Sequence, residues 1–547
     1  MARRRSLPRL GLAVPVALAL TASLGFLPAS ASAAPRIPSA AQAEDAHTLS
    51  YVVNTRTDHR TIAEVQRAIT AAGGTVVVTY DGIGVIVAHS ADPGFGERLR
   101  AVRGVESAGA TRTAPLSAAG TTEASAVRRL SEAEVATIAK ASGSGTEPLE
   151  AEQWALRAIG ADKAAEINPG SRDVTVAVID TGVDDTHPDL APNFSPSQSA
   201  NCSSGKADTT YGSWRPVDAN YFHGTHVAGT IAAARNGVGV AGVAPGGKVS
   251  GITVSQPTPR QLIYAESVVC AFVFAADHGV QITNNSYYVD PWQYNCLDDP
   301  DQKAIIDAVN RAQLYAQRKG TLNVAGAGNA NHDLASDGFT DGGSPNDSTP
   351  SSRTVDPHRC WDLPAQLPGV VTVSATGAKG AKAYYSNYGL GVIDVAAPGG
   401  DQYQASDTPS KEGGILSTLP GNQYGYEQGT SMATPHASGV AALLKSAHPE
   451  ATPAQLQALL KAQATTRAAR PARTATAPRT PSARAASAST ASTASASSTR
   501  CARSSSGRAA GTAPVPCPNA LTPPAVQAGG VGVRGTPGAR HAPQVGR

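Results

Sequence analysis

From about residue 170 to residue 465, short apolar runs alternate with longer helical patterns. The runs are Val174 to Ile179, Lys248 to Val254, Val280 to Asn284, Leu322 to Ala325 and Val370 to Ser374. Helical spacing fills Ser267 to His278 and Asp301 to Lys319. Strands without polar alternation are buried on both faces, and helices between them supply the cover. The pattern predicts an α/β domain with a mostly parallel central sheet flanked by helices over residues 147–465.

The flanks read differently. Arg3, Arg4, Arg5 and Arg9, the apolar stretch Leu10 to Leu27 and the small-residue site Ala31-Ser32-Ala33 make residues 1–33 an export signal. No other stretch reaches membrane-spanning length, so no membrane partner is expected once the signal is removed. Export implies an oxidising compartment and a secreted, extracellular protein. Cys202, Cys270, Cys296 and Cys360 are then expected to pair among themselves, with the pairing left open. Within 34–115 the order is β-α-β-β-α-β, a small ferredoxin-like α+β unit with a hairpin across Asp81-Gly82. Residues 116–146 read as a linker and processing zone with one weak helix near Glu132 to Ala141. Residues 147–465 net −12, which argues against a nucleic-acid partner. Residues 466–547 net +11, with no acid and almost no large apolar residue. That tail is read as disordered, or as the product of a shifted reading frame in a GC-rich gene.

Three segments of the middle carry chemistry. Val176 to Gly182 is an apolar strand ending in Asp180 and a glycine turn. Carboxyl ends of parallel strands are where such sheets place ligands. His223-Gly-Thr-His226 opens a helix; its histidines lack the spacing and glutamate of a helical zinc motif. Gly429-Thr-Ser431-Met-Ala-Thr-Pro435-His436 puts a serine at the head of an apolar helix, in the field of its N-terminus.

Together these resemble the Asp, His and Ser signatures of subtilisin-like serine peptidases, in that family's order. Ala325-Gly326-Ala327-Gly328-Asn329 resembles the segment carrying the family's oxyanion asparagine. The similarity covers about residues 150–465, and the 48–115 unit resembles the inhibitory propeptide that often precedes such enzymes. The resemblance implies a subtilisin-like fold and a secreted serine endopeptidase made as a self-processed zymogen. Asp180, His223 and Ser431 would be catalytic, with Asn329 in the oxyanion hole. Protein or peptide substrates would lie along Ser286, Tyr287 and Tyr288 and along Ala325, Gly326 and Ala327. Two tyrosines stand where relatives carry Leu-Gly, which leaves the P1 preference open. No catalytic cofactor is implied. A structural calcium is implied at Asp189, Ala234, Asn236, Val238 and Val240, with Asp189 and Asn236 giving side-chain oxygens. The implied partners are substrates and the chain's own propeptide, as inhibitor and chaperone, around a monomer. His226 and His436 are expected to be packed histidines, Asp184 and Asp185 turn residues, and Asp298, Asp299 and Asp301 a solvated helix start. After the helix from Pro453 the family's closing segment is missing, and the Arg-rich tail stands in its place. The rival reading is therefore a catalytically impaired wall-associated or scaffold protein of the same fold.

Overall fold

The computed structural model describes residues 48–116, 127–141, 147–258 and 260–466. All lie within one compact unit, Met1–Thr493. The export signal, residues 34–47 of the propeptide reading, Cys501, Cys517 and the tail from 467 lie outside the described residues.

The N-terminal domain runs β1 (Leu49–Thr55), α1 (His59–Ala71), β2 (Thr75–Tyr80), β3 (Val85–Ser90), α2 (Phe95–Arg100) and β4 (Val105–Ala110). Its antiparallel sheet has the order β2-β3-β1-β4, as the ferredoxin-like reading requires. Ile62, Val65 and Ile69 of α1 pack on Tyr51, Val53 and Ile86, the spacing that puts them on one helical face. The β2–β3 connection is longer than a two-residue hairpin. Asp81–Ile83 form a 3₁₀ turn, and Gly84 closes it at φ 62°.

The larger domain holds β6 (Thr175–Asp180), β7 (Ala200–Asn201), α4 (His223–Ala232), β8 (Lys248–Thr253), α5 (Ala265–Asp277), β9 (Ile282–Asn285), α6 (Pro300–Arg318), β10 (Leu322–Gly326), β11 (Val371–Thr376) and β12 (Val395–Pro398). A hairpin of β13 (Ile415–Leu419) and β14 (Gln423–Glu427) leads into α7 (Thr430–Ala447) and α8 (Pro453–Gln463). The seven-stranded sheet is ordered β12-β11-β10-β9-β6-β8-β7, and every pairing in it is parallel. Strand β6 is buried at all six residues. Val176 and Val178 face α4 and α7, where Ile231, Ala437 and Ala441 pack. Ala177 and Ile179 face α5 and α6, meeting Val268, Ile305 and Val309. Two covered faces explain the continuous apolar run. Disulfides join Cys202 to Cys270 and Cys296 to Cys360.

The stretch expected to be a linker is in part docked. Here β5 (Arg128–Arg129) pairs with β14, and α3 (Glu132–Ala141) follows. Leu130, Val135 and Ile138 pack with Leu149, Tyr424 and Tyr426. An Ala- and Ser-rich composition concealed this small apolar stripe.

Candidate active site

Chain order places the site. From β6 the chain builds outward on one side through β8 and β7, and on the other through β9 to β12. Such a reversal opens a crevice at the strands' carboxyl ends. Asp180, the last residue of β6, is 1% exposed. Its Oδ1 accepts from Thr181 N at 2.7 Å and meets His223 Nδ1 at 2.8 Å. His223 begins α4. The next residue must be small, because a Cβ on Gly224 would stand 2.3 Å from the Gly182 carbonyl oxygen. The glycine in the His-Gly-Thr-His run thus lets the helix start touch the strand end.

Ser431 is the second residue of α7, among the N-terminal groups whose N–H has no partner within the helix. Its hydroxyl donates to Ser286 O at 3.0 Å, and Ser286 Oγ donates back to Ser431 O at 2.9 Å. The second bond follows from Pro435, which lies inside α7 and has no N–H to offer the carbonyl four residues earlier. Asn329 is oriented by α7 as well: its Oδ1 accepts from Thr430 N and Thr430 Oγ1, both at 2.9 Å. That commits the oxygen and leaves the amide nitrogen to point elsewhere. A Cβ on Gly429 would stand 3.5 Å from Ser431 N and 3.6 Å from Asn329 Nδ2. The two donors therefore flank one small space beside Gly429.

A cleft of about 720 Å³ runs past these groups. Asp180, His223, Ser286, Tyr287, Tyr288, Gly326, Asn329 and Ser431 all line it. Ala325 and Ala327 do not: both are fully buried. Of that trio only Gly326 lines the cleft, through its backbone; a side chain there would meet Thr430 and Thr434 of α7. Tyr287 OH donates to Asn285 Oδ1 at 3.0 Å. Tyr288 OH accepts from Asn346 Nδ2 at 2.9 Å, and the same amide donates to Asp290 Oδ1 at 2.7 Å. Thr181, Thr430, the stretch Arg260, Gln261, Leu262 and Ile263, and Asp290, Gly343 and Asn346 are also among the walls. Sequence reasoning missed these. Thr181 sat within the Asp180 segment and Thr430 within the serine motif, and both could have been found; the rest come from loops without periodicity.

The histidines separate electrostatically. Burial pulls His223 down, but the Asp180 carboxylate, by charge and hydrogen bond, outweighs it and holds the imidazole above its ordinary range. Burial pushes His226 down to about 3 and His436 to about 4. His226 Nε2 lies 2.9 Å from Ile415 O, and His436 Nδ1 2.7 Å from Met432 O. Both are packed, neutral residues. Asp184 accepts from Thr186 N and Gly421 N, tying a turn to the β13–β14 hairpin. Asp185 pairs with Arg215. Asp299 caps α6, whereas Asp301 pairs with Arg100 of the N-terminal domain and is not simply solvated.

The five residues of the calcium reading meet beside α4. Asp189 is fully buried. Its Oδ2 accepts from Val240 N at 2.9 Å and Tyr424 OH at 3.1 Å, while Oδ1 is buried without a hydrogen-bond partner. Ala234 N donates to Asp189 O, and Asn236 Oδ1 accepts from Val238 N. Burial, with the charge of Glu147, pushes Asp189 up to about 6. Glu147, unnoticed in the sequence, accepts from Gly237 N and Val238 N. A buried carboxylate with a spare oxygen, near a second acid, fits a hard cation. Among the described residues no cluster of three or more His, Cys, Asp or Glu forms a metal site.

The sequence profile of the subtilase family matches residues 171–495, and the chain belongs to that family. It is 32% identical over 333 residues to fervidolysin of Fervidobacterium pennivorans, a match covering 58% of this chain and 40% of that one. With subtilisin BL of Lederbergia lenta it shares 31% over 314 residues, covering 57% and 91%. The crystal structure of a mutant epidermin leader peptide processing serine protease from Staphylococcus aureus superposes with a TM-score of 0.58 at 25% identity. That superposition covers 78% of this chain and 95% of the other.

Proposed function

We propose that the protein is a secreted serine endopeptidase that hydrolyses peptide bonds through Asp180, His223 and Ser431 and is made as a self-processed zymogen. One observation carries the reading: a buried aspartate bonded to a partly exposed histidine, a serine at a helix N-terminus and an oriented asparagine amide line one cleft. In the neutral form His223 takes the Ser431 proton as the hydroxyl leaves Ser286 O and attacks the scissile carbonyl. Asp180 holds the ring through Nδ1 and stabilises the imidazolium. Negative charge then grows on the carbonyl oxygen, where Asn329 Nδ2 and Ser431 N receive it; each such donor is worth about 10²–10³ in turnover. His223 returns the proton to the leaving amine, and water, deprotonated by His223, releases the acyl group.

No group beyond these side chains is needed for the chemistry. Asp189, Asn236 and the Ala234, Val238 and Val240 carbonyls, with Glu147 beside them, would hold a calcium that braces the loop after α4. Residues 34–115 are assigned to the inhibitory propeptide and 147–465 to the peptidase. No helix among the described residues is long and apolar enough to cross a membrane.

The reading is tested by treating the full chain with a fluorophosphonate and mapping the adduct. Label on Ser431 is expected. Ser431→Ala should lose the label and cut peptide hydrolysis by about a millionfold. Normal hydrolysis by Ser431→Ala, or label on another residue, overturns the assignment.

A further inference from the structure

The stretch after β4 leaves the N-terminal domain and enters the peptidase domain beside the cleft. There Arg112 forms an ion pair with Glu266, and the two side chains are only 5% and 3% exposed. Glu266 lies in the first turn of α5. The Arg112 guanidinium carbon also sits 3.9 Å from the centre of the Tyr264 ring. Beyond it, Thr113 N and Ala114 N both donate to Asp347 Oδ2, at 2.8 and 3.1 Å. Tyr264 OH reaches the same oxygen at 3.4 Å. Carboxylate and ring thus form a slot whose present occupant is an arginine of the other domain.

The slot continues the cleft. Ile263, just before Tyr264, and Asn346, just before Asp347, both line the cleft. A peptide lying along that wall would bring its distal residues to Glu266. When the N-terminal domain leaves, Glu266 loses its cation while staying among Tyr264 and the start of α5. An unpaired carboxylate beside an aromatic ring attracts a new cation. The aromatic wall of the slot favours a planar one that can stack. Arg112 also fills the slot incompletely. Glu266 Oε2 and Arg112 Nε are buried without hydrogen-bond partners. The chain on both sides of Arg112 is tied down, by Thr111 N to Ser50 O at 2.9 Å and by Thr113 to Asp347. An untethered guanidinium can engage both carboxylate oxygens.

We propose that Glu266 and Tyr264, with Asp347 guiding the backbone, form a distal substrate subsite that selects an arginine side chain several residues from the scissile bond. Arg112 is its built-in occupant before processing. The proposal rests on the peptidase reading above and adds a sequence preference to it.

The test uses the full chain, after any self-processing, and a set of quenched fluorescent peptides. A single arginine is moved stepwise along each peptide and compared with citrulline, its neutral isostere. One register should lose at least about tenfold in kcat/KM on the change to citrulline. Glu266→Gln should bring that ratio close to one. Because the ratio compares two peptides on one preparation, loss of folded enzyme cancels. Peptides cut equally at every register overturn the subsite and leave the peptidase reading standing. A ratio that survives in Glu266→Gln overturns the role of Glu266. Should that variant not fold, the arginine–citrulline scan on the unaltered chain decides alone. No cleavage of any peptide overturns the peptidase reading and the subsite with it.

Discussion

Ser431 owes part of its position to what Pro435 lacks. With no N–H four residues on, the Ser431 carbonyl is free to accept from Ser286, which ties the backbone of Ser431 to the cleft wall. His223 is set in the same way by its neighbours. Because the Asp180 carboxylate outweighs the effect of burial, the imidazolium is favoured and the ring loses its proton at a higher pH than an ordinary histidine. In the proposed mechanism His223 is the general base and works only when neutral, so kcat/KM should climb with pH along a limb whose midpoint lies above the ordinary value of 6.5. Asp180→Asn removes the charge that raises it. Its residual activity, down about 10⁴-fold, should show that midpoint moved to lower pH. Equal midpoints in a pH–rate series on the two proteins would remove Asp180 from this role. The three motif residues were legible because the chemistry demands their types and the family keeps them in local runs. Tyr288 was legible only as an oddity. Its partner Asn346 lies 58 positions away, and nothing local to either residue announces the bond.

At the scale of elements, periodicity made the fold readable. The strands found in the sequence differ from those observed by one or two residues at their ends, as at Val174 to Ile179 against Thr175–Asp180. End residues answer to capping and pairing more than to apolar pattern. The loops were less readable, and the one after α4 illustrates why. Ala234, Asn236, Val238 and Val240 came from resemblance, but Glu147 is a single acid in an unpatterned stretch. Only folding brings its carboxylate onto Gly237 N and Val238 N. If a cation sits between this loop and Asp189, it binds the folded chain and stabilises it by mass action. Thermal unfolding followed with excess calcium and then with a chelator should differ by on the order of 5 °C. Asp189→Asn should abolish most of that difference. Identical melting curves in calcium and chelator would leave the loop without an ion.

At the scale of the whole molecule, the N-terminal domain docks through polar contacts that look like ordinary surface residues in the sequence. Asn54 Nδ2 donates to Ala304 O at 2.9 Å in a fully buried setting. Ser107 Oγ donates to Asp307 Oδ2 at 2.6 Å. Arg311, on α6, donates to Thr55 O at 2.7 Å and Gly84 O at 3.2 Å and pairs with Glu106. These bonds satisfy backbone carbonyls at the ends of β1 and the β2–β3 turn, so they fix the domain's orientation as well as its affinity. Arg311 does not line the cleft; its loss should weaken docking without touching the chemistry. Hydrogen bonds to a charged group that is partly exposed suggest a loss of about tenfold in the domain's hold. In progress curves of the full chain, Arg311→Ala should therefore shorten the lag before peptide hydrolysis reaches its final rate. The final kcat/KM should match that of the unaltered protein. An unchanged lag would mean that release of the N-terminal domain is governed elsewhere, with the buried Arg112–Glu266 pair of the same interface as the next contact to break.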